Sequence, residues 1–277
     1  MTQQIGLDPK NEADIAQPEG DLHIIAEDLA YLRTAIVNLV FFGLPHSPDR
    51  GWVLIDTGVL HSAGAIQEAA AKRFGKDSRP LAIILTHAHF DHVGGVEKLS
   101  KLWDVPVYAH PNEFPYLTGQ DCYPPANPKA GGGLMALLSP FYPRDPIDIT
   151  ERLVQLPPDA TVPGMPGWLW IATPGHSPGH ISLWREADRT LIAGDAFITT
   201  AQESAYAVIT QRPEMHGPPK YFTPDWPSAA DSVRKLAALD PELVITGHGP
   251  AMRGAEMREA LHLLANDFRD IAIPKRR

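Results

Sequence analysis

Short apolar runs separated by polar or glycine-bearing stretches set the pattern of the first half of the chain. Leu22–Ala26, Ala35–Phe42 and Trp52–Ile55 have the length and composition of strands. Asp56-Thr57-Gly58 closes the third as a turn, and the Ala- and Gln-rich segment Ser62–Phe74 repeats apolar positions at helical spacing. Leu81–Leu85 is apolar throughout, as expected of a strand buried on both faces. A helix from Gly94 to Trp103 and a strand Val105–Ala109 complete this half.

The second half repeats the style. Leu169–Ala172, Ile181–Trp184, Thr190–Ala193 and Leu243–Thr246 are predicted strands. A helix is expected to start near Thr223-Pro224-Asp225, with Pro in the first turn and Thr or Asp as cap, and to run to Leu239. A last amphipathic helix spans Gly254–Phe268. Strands with flanking helices in each half predict an α/β architecture of two similar halves. The first 20 residues, rich in Gln, Asp, Glu and Pro, form an N-terminal arm, and 21–277 is expected to be one domain. Residues 116–148 break the periodicity with prolines and Gly131-Gly132-Gly133. Their aromatics and Leu134–Leu138 suggest an ordered lid or insertion carrying a short helix.

Composition narrows the class. The 277 residues are 44% hydrophobic and 21% charged, enough for a sizeable core. A net charge of −9, with Lys275-Arg276-Arg277 as the only basic cluster, argues against nucleic acid as partner. The single cysteine, Cys122, permits no intramolecular disulfide and has no basic neighbours to activate it. No stretch approaches the roughly 18 apolar residues of a membrane span, and the polar N-terminus lacks a secretory h-region. The expectation is a cytoplasmic protein acting on a small molecule without a membrane partner; a homo-oligomer formed through 116–148 stays open.

The chemistry is concentrated in Thr86-His87-Ala88-His89-Phe90-Asp91-His92, just past the Leu81–Leu85 strand. Three imidazoles and a carboxylate within so short a run suit Zn²⁺, and also Fe or Mn. Water on such a metal becomes hydroxide near neutral pH, which points to a hydrolase. His176, Asp195 and His248 also lie just past predicted strands, beside Gly175, Gly194, Gly247 and Gly249. Seven candidate ligands exceed what one tetrahedral metal takes and suit two ions sharing a carboxylate.

These segments, from Asp56-Thr57-Gly58 to Gly247-His248-Gly249, resemble the metallo-β-lactamase superfamily. The resemblance implies an αββα sandwich, two mixed sheets flanked by helices, with a dinuclear site at one edge. It implies that His87, His89 and His176 hold one divalent ion, that Asp91, His92 and His248 hold the other, and that Asp195 bridges. Zn²⁺ is the first expectation. Asp195 sets the chain apart from the antibiotic-degrading lactamases and makes it similar to glyoxalase II, acyl-homoserine-lactone lactonases and related ester, thioester or phosphoester hydrolases. Thr173–His180 resembles the glyoxalase type. Two features depart from these relatives. Ile198 stands three residues after Asp195, where quorum-quenching lactonases carry Tyr, and only a short C-terminal region stands where glyoxalase II carries a basic helical domain.

The implied mechanism is attack by a metal-bridging hydroxide on a small ester, lactone or thioester, with Asp91 orienting the hydroxide and returning a proton to the leaving group. Asp56 is expected to hydrogen-bond a ligand from behind. Phosphoester or organophosphate hydrolysis, and persulfide oxidation at a single iron, are the alternatives. His180 is expected to make a structural hydrogen bond rather than serve as an eighth ligand. Phe90, Phe197, His216, Tyr221 and Phe222 are candidates for lining the substrate pocket.

Overall fold

The computed structural model describes residues 5–16, 22–128, 130, 134–144, 146–202, 204, 206 and 210–274. The chain forms two compact units, each discontinuous in sequence: 14–123 with 144–168, and 1–13 with 124–143 and 169–277. Both carry a mixed sheet with helices, the α/β class expected.

The first of these units is built on a sheet of seven strands in chain order: β2 (Leu22–Ala26), β3 (Leu29–Thr34), β4 (Val37–Phe42), β5 (Val53–Ile55), β6 (Ala82–Ile84), β7 (Val107–Ala109) and β8 (Leu153–Gln155). The first four pair antiparallel; β5 to β8 are parallel. Parallel neighbours need crossovers, and these are α1 (Ala63–Phe74) and α3 (Val96–Trp103), with the single turn α2 (Phe90–Val93) just ahead of α3. Strands β5 and β6 are buried along their whole length, which explains their unbroken apolar character. Ile66, Val96, Leu99 and Trp103 of the helices bury against Leu54 and Ile83 of the sheet. Trp52 stacks on Phe74 at a centroid distance of 4.4 Å.

Two expectations change here. Ala35–Phe42 is not one strand but the second arm of a hairpin, and β3 precedes it. The turn is Ala35-Ile36, with Ala35 at φ 55°. Apolar residues occupy a two-residue turn that usually advertises itself with Gly, Asn or Asp. Strand β8, three half-exposed residues at the sheet edge, carries too little pattern to read.

The other unit holds a five-stranded sheet in the order β14 (Met252–Arg253), β13 (Leu243–Thr246), β11 (Thr190–Gly194), β10 (Ile181–Arg185), β9 (Trp168–Ala172). Strands β10 and β11 are antiparallel, β11 and β13 parallel. Helices α6 (Trp226–Ala237) and α7 (Gly254–Asn266) bury Val233, Leu236, Leu261 and Leu264 with Val244 and Met252. Asp225 caps α6 by accepting from the Ser228 N–H, and the first-turn proline is Pro227, not Pro224 as expected. The described part of the N-terminal arm is tied down: β1 (Ile5–Gly6) pairs with β12 (Glu214–Met215), and Leu7 is buried. The insertion contains α4 (Phe114–Leu117) at its start and α5 (Leu134–Leu138) in its middle. Ala136 is buried with Tyr221, beside Tyr142 and Phe222.

Candidate metal centre

The first ligand set grows from the end of β6. Beyond Ile84 the chain leaves regular structure, bending at Thr86, and His89, at φ −63° and ψ 150°, delivers it into the single turn of α2 carrying Asp91 and His92. His87, His89, Asp91 and His92 are all buried. The neighbouring strand β5 ends in Asp56, at φ 61°, a left-handed conformation that Asp tolerates better than most residues. One carboxylate oxygen of Asp56 accepts the Thr86 N–H at 2.8 Å. The other accepts the Thr86 hydroxyl at 2.7 Å and His92 Nδ1 at 2.8 Å.

This network assigns the tautomers. Thr86 directs its hydroxyl hydrogen to Asp56, so its 3.1 Å contact with His87 Nδ1 is an imidazole N–H donating to the hydroxyl oxygen. With Nδ1 protonated on His87 and His92, Nε2 is the nitrogen of each that could ligate a metal. His87 Nε2 lies 3.0 Å from His89 Nδ1. Two imidazoles about 2.0–2.1 Å from a shared ion hold their nitrogens at close to this spacing. Gly94 lets the next loop close in: a Cβ there would sit 2.1 Å from the carbonyl carbon of Val59. In that loop both N–H and hydroxyl of Thr57 donate to the His92 carbonyl, at 2.7 and 2.9 Å.

The second set is assembled from three strand ends. His176 follows β9, Asp195 follows β11 and His248 follows β13, and all three are buried. His176 Nε2 and His248 Nε2 lie 3.4 and 3.2 Å from the same oxygen, Oδ2 of Asp195. Thr223 donates its hydroxyl to the Pro219 carbonyl at 2.8 Å and therefore accepts from His176 Nδ1 at 3.1 Å. A neutral His176 thus turns its Nε2 lone pair toward a carboxylate oxygen, an arrangement that a cation shared by both makes favourable. Spacing, burial and donor chemistry of both sets fit divalent metal.

Asp195 is steadied through its backbone. Its N–H donates to His180 Nε2 at 2.9 Å, and His180 Nδ1 donates to the Thr173 hydroxyl at 2.8 Å. Thr173 lies 3.0 Å from Ser182, which donates to the Ala193 carbonyl at 2.9 Å. Every hydrogen in this relay has one direction, so both ring nitrogens of His180 are engaged in it. His248 is held by its carbonyl, which accepts from the Thr246 hydroxyl at 2.7 Å. Gly249, at φ 94°, passes so close to Thr199 that a Cβ would fall 2.6 Å from its carbonyl carbon.

The pocket candidates fare differently. Phe197 is fully buried in the core with Leu191, Ala193 and Met215. Phe90 is half-buried. His216 donates Nδ1–H to the Gly217 carbonyl at 3.2 Å and accepts from buried Lys220 at 3.1 Å. Tyr221 and half-buried Phe222 pack with Tyr142. Glu113, which the sequence did not single out, is fully buried and accepts the Ala88 N–H at 2.9 Å. Its signal is positional: like the ligands, it lies just past a strand, β7. Burial raises the pKa of the nearby Tyr116 phenol, and the Glu113 charge adds to the shift.

Residues 36–248 match the family model described as "Metallo-beta-lactamase superfamily". The chain belongs to the metallo-β-lactamase superfamily. Among curated relatives, "Probable metallo-hydrolase YflN" of Bacillus subtilis (strain 168) is 51% identical over 240 residues, covering 87% of this chain and 90% of the relative. "Probable metallo-hydrolase YybB" of the same organism is 33% identical over 197 residues, covering 71% and 74%. A Beta-lactamase domain protein from Burkholderia ambifaria shares the fold, with a TM-score of 0.62 at 24% identity over 95% of this chain and 80% of that one. TTHA1623, solved in a di-iron-bound form, aligns with a TM-score of 0.53 at 25% identity, covering 85% and 95%. The superfamily and the names of the relatives make this chain a metallo-hydrolase, with a candidate His/Asp ligand set for divalent metal. Among the described residues, no helix is long and apolar enough to cross a membrane.

Proposed function

We propose that this metallo-hydrolase is dinuclear and cleaves a small ester, lactone or thioester. The observation that supports the reading is the approach of one oxygen, Asp195 Oδ2, to Nε2 of both His176 and His248, at 3.4 and 3.2 Å. His87, His89 and His176 would hold one ion, Asp91, His92 and His248 the other. Zn²⁺ suits this imidazole and carboxylate set, and iron is the runner-up because TTHA1623 was solved with two irons.

Bound ions would supply Lewis acidity and a hydroxide nucleophile near neutral pH. The chain's own contributions follow from its hydrogen bonds. Asp56 and Thr86 keep His87 and His92 in the Nδ1–H tautomer, so neither can turn its protonated nitrogen inward. Asp91, buried and carrying two oxygens, is the group to take a proton from the nucleophile and hand it to the leaving oxygen or sulfur. Burial of the whole ligand set keeps bulk water from competing.

The test is a hydrolysis panel of lactones, aryl esters, S-lactoylglutathione and phosphoesters, each with and without chelator, alongside metal analysis. About two ions per chain and chelator-sensitive turnover of a carbonyl substrate are expected. Turnover confined to phosphoesters would move the reading to phosphoester hydrolysis. One iron per chain with oxygen consumption on a persulfide would overturn it.

A further inference from the structure

The peptide between His87 and His89 has no strand to hold it. β6 ends at Ile84, and Ala88 is buried beyond the reach of the ladder, so its N–H needs an acceptor from elsewhere. Glu113 supplies it from a 3₁₀ turn, Pro111–Glu113, directly after β7. A carboxylate with no solvent exposure is costly unless several donors converge on it. Here the Tyr123 hydroxyl donates to the same oxygen, Oε2, that accepts from Ala88. Tyr123 is itself fixed. Its ring lies 4.2 Å from the His89 ring and stacks on Tyr116 at 3.9 Å, with the planes 18° apart. The hydroxyl oxygen also stands 3.1 Å from the Ala88 nitrogen. Carboxylate, phenol and amide therefore form a closed triangle behind the two histidines.

We infer that Glu113, locked by Tyr123, is a positioning residue that holds the Ala88 amide so that His87 Nε2 and His89 Nδ1 aim at one ion. The 3.0 Å spacing of those nitrogens depends on the orientation of the two peptide planes flanking Ala88. Rotating either plane swings one imidazole away while the other stays anchored through Thr86. The triangle thus sets the affinity and coordination geometry of the ion held by His87 and His89. It leaves the ion held by Asp91 and His92 to Asp56. This inference rests on the dinuclear reading above.

The experiment loads metal-free protein with Co²⁺ and follows visible d–d absorption together with competition by a chromophoric chelator, using wild type, Glu113→Met, Glu113→Gln and Tyr123→Phe. Glu113→Met matches the length but accepts no N–H bond. It is expected to weaken one of the two Co²⁺ equivalents by about 10- to 100-fold, to shift that equivalent's absorption, and to spare the other. Glu113→Gln retains a carbonyl oxygen for Ala88 and Tyr123 and should restore wild-type affinity and spectrum. Tyr123→Phe folds around an intact ring and should weaken the same equivalent several-fold, which keeps the test decisive if Glu113→Met does not fold. Unchanged affinity and spectrum in Glu113→Met or Tyr123→Phe would overturn the inference, as would Glu113→Gln as damaging as Glu113→Met. Wild-type protein that takes up fewer than two Co²⁺ would instead sink the dinuclear reading, so the two failures are separable.

Discussion

The two ligand sets are steadied by different chemistry. In the unit built on the seven-stranded sheet, four candidate ligands sit on one short run, and buried carboxylates hold it: Asp56 on Thr86 and His92, Glu113 on Ala88. In the other unit three candidate ligands come from separate strand ends, and neutral groups hold them: Thr223 on His176, His180 with Thr173 and Ser182 behind Asp195, Thr246 on His248. A contiguous run sits on irregular backbone that needs strong, charged acceptors to keep its shape. Ligands at the ends of paired strands already have rigid scaffolding and need little more than tautomer control. Carboxylate partners also raise imidazole basicity, so the first set should respond to its supports through metal affinity and the second through stability.

The sharpest break of that contrast is Asp195→Ala. Loss of the shared oxygen should release metal and lower turnover by roughly three orders of magnitude or more, since several kcal/mol of charge stabilisation goes with it. Elemental analysis and kinetics check this, and retained turnover would remove Asp195 from its bridging role. Next is Asp56→Asn, which deprives His92 of its carboxylate acceptor. Metal affinity or kcat is expected to fall about 10- to 100-fold, read by chelator competition, with far-UV circular dichroism unchanged.

Thr173→Val should act the other way. It leaves His180 Nδ1 without its acceptor in a buried relay, costing about 1–3 kcal/mol of unfolding free energy by denaturant titration while metal content stays at the wild-type level. A large metal loss with unchanged stability would show that the hydroxyl relay tunes the metal as Asp56 does. The smallest effect is expected at Asp49, an exposed carboxylate outside both sets. Hydrogen bonds from Arg79, side chain first and backbone second, lower its pKa to about 2. A depressed folded-state pKa stabilises above the unfolded value near 3.8 and is lost as pH falls toward 2. Asp49→Asn should thus leave metal, turnover and neutral-pH melting almost unchanged and flatten the acid limb slightly in a pH series of melting curves.

Much of the candidate site is legible along the chain because its signals are local. His87, His89, Asp91 and His92 announce themselves by proximity along the chain, and His176, Asp195 and His248 by following predicted strands beside glycines. The hairpin at Ala35-Ile36 could not be read, because its turn residues are apolar and none of the usual turn types, Gly, Asn or Asp, marks it. Tyr123 was equally silent, and Glu113 offered only its place just past β7. A lone Glu and a lone Tyr carry no pattern, and their meaning lies in reaching an amide 25 and 35 residues away in sequence.

The sequence by itself determined the ligand types, the class of chemistry they support, and the strands and glycines that present them, because each follows from a few neighbouring residues. Tertiary structure alone decided which nitrogen of His87, His92, His176 and His180 carries the proton, that Oδ2 of Asp195 approaches two imidazoles, and that Ala88 is held by Glu113. Those facts depend on hydrogen bonds between segments far apart in the chain, and their directions exist only once packing has excluded water as an alternative partner.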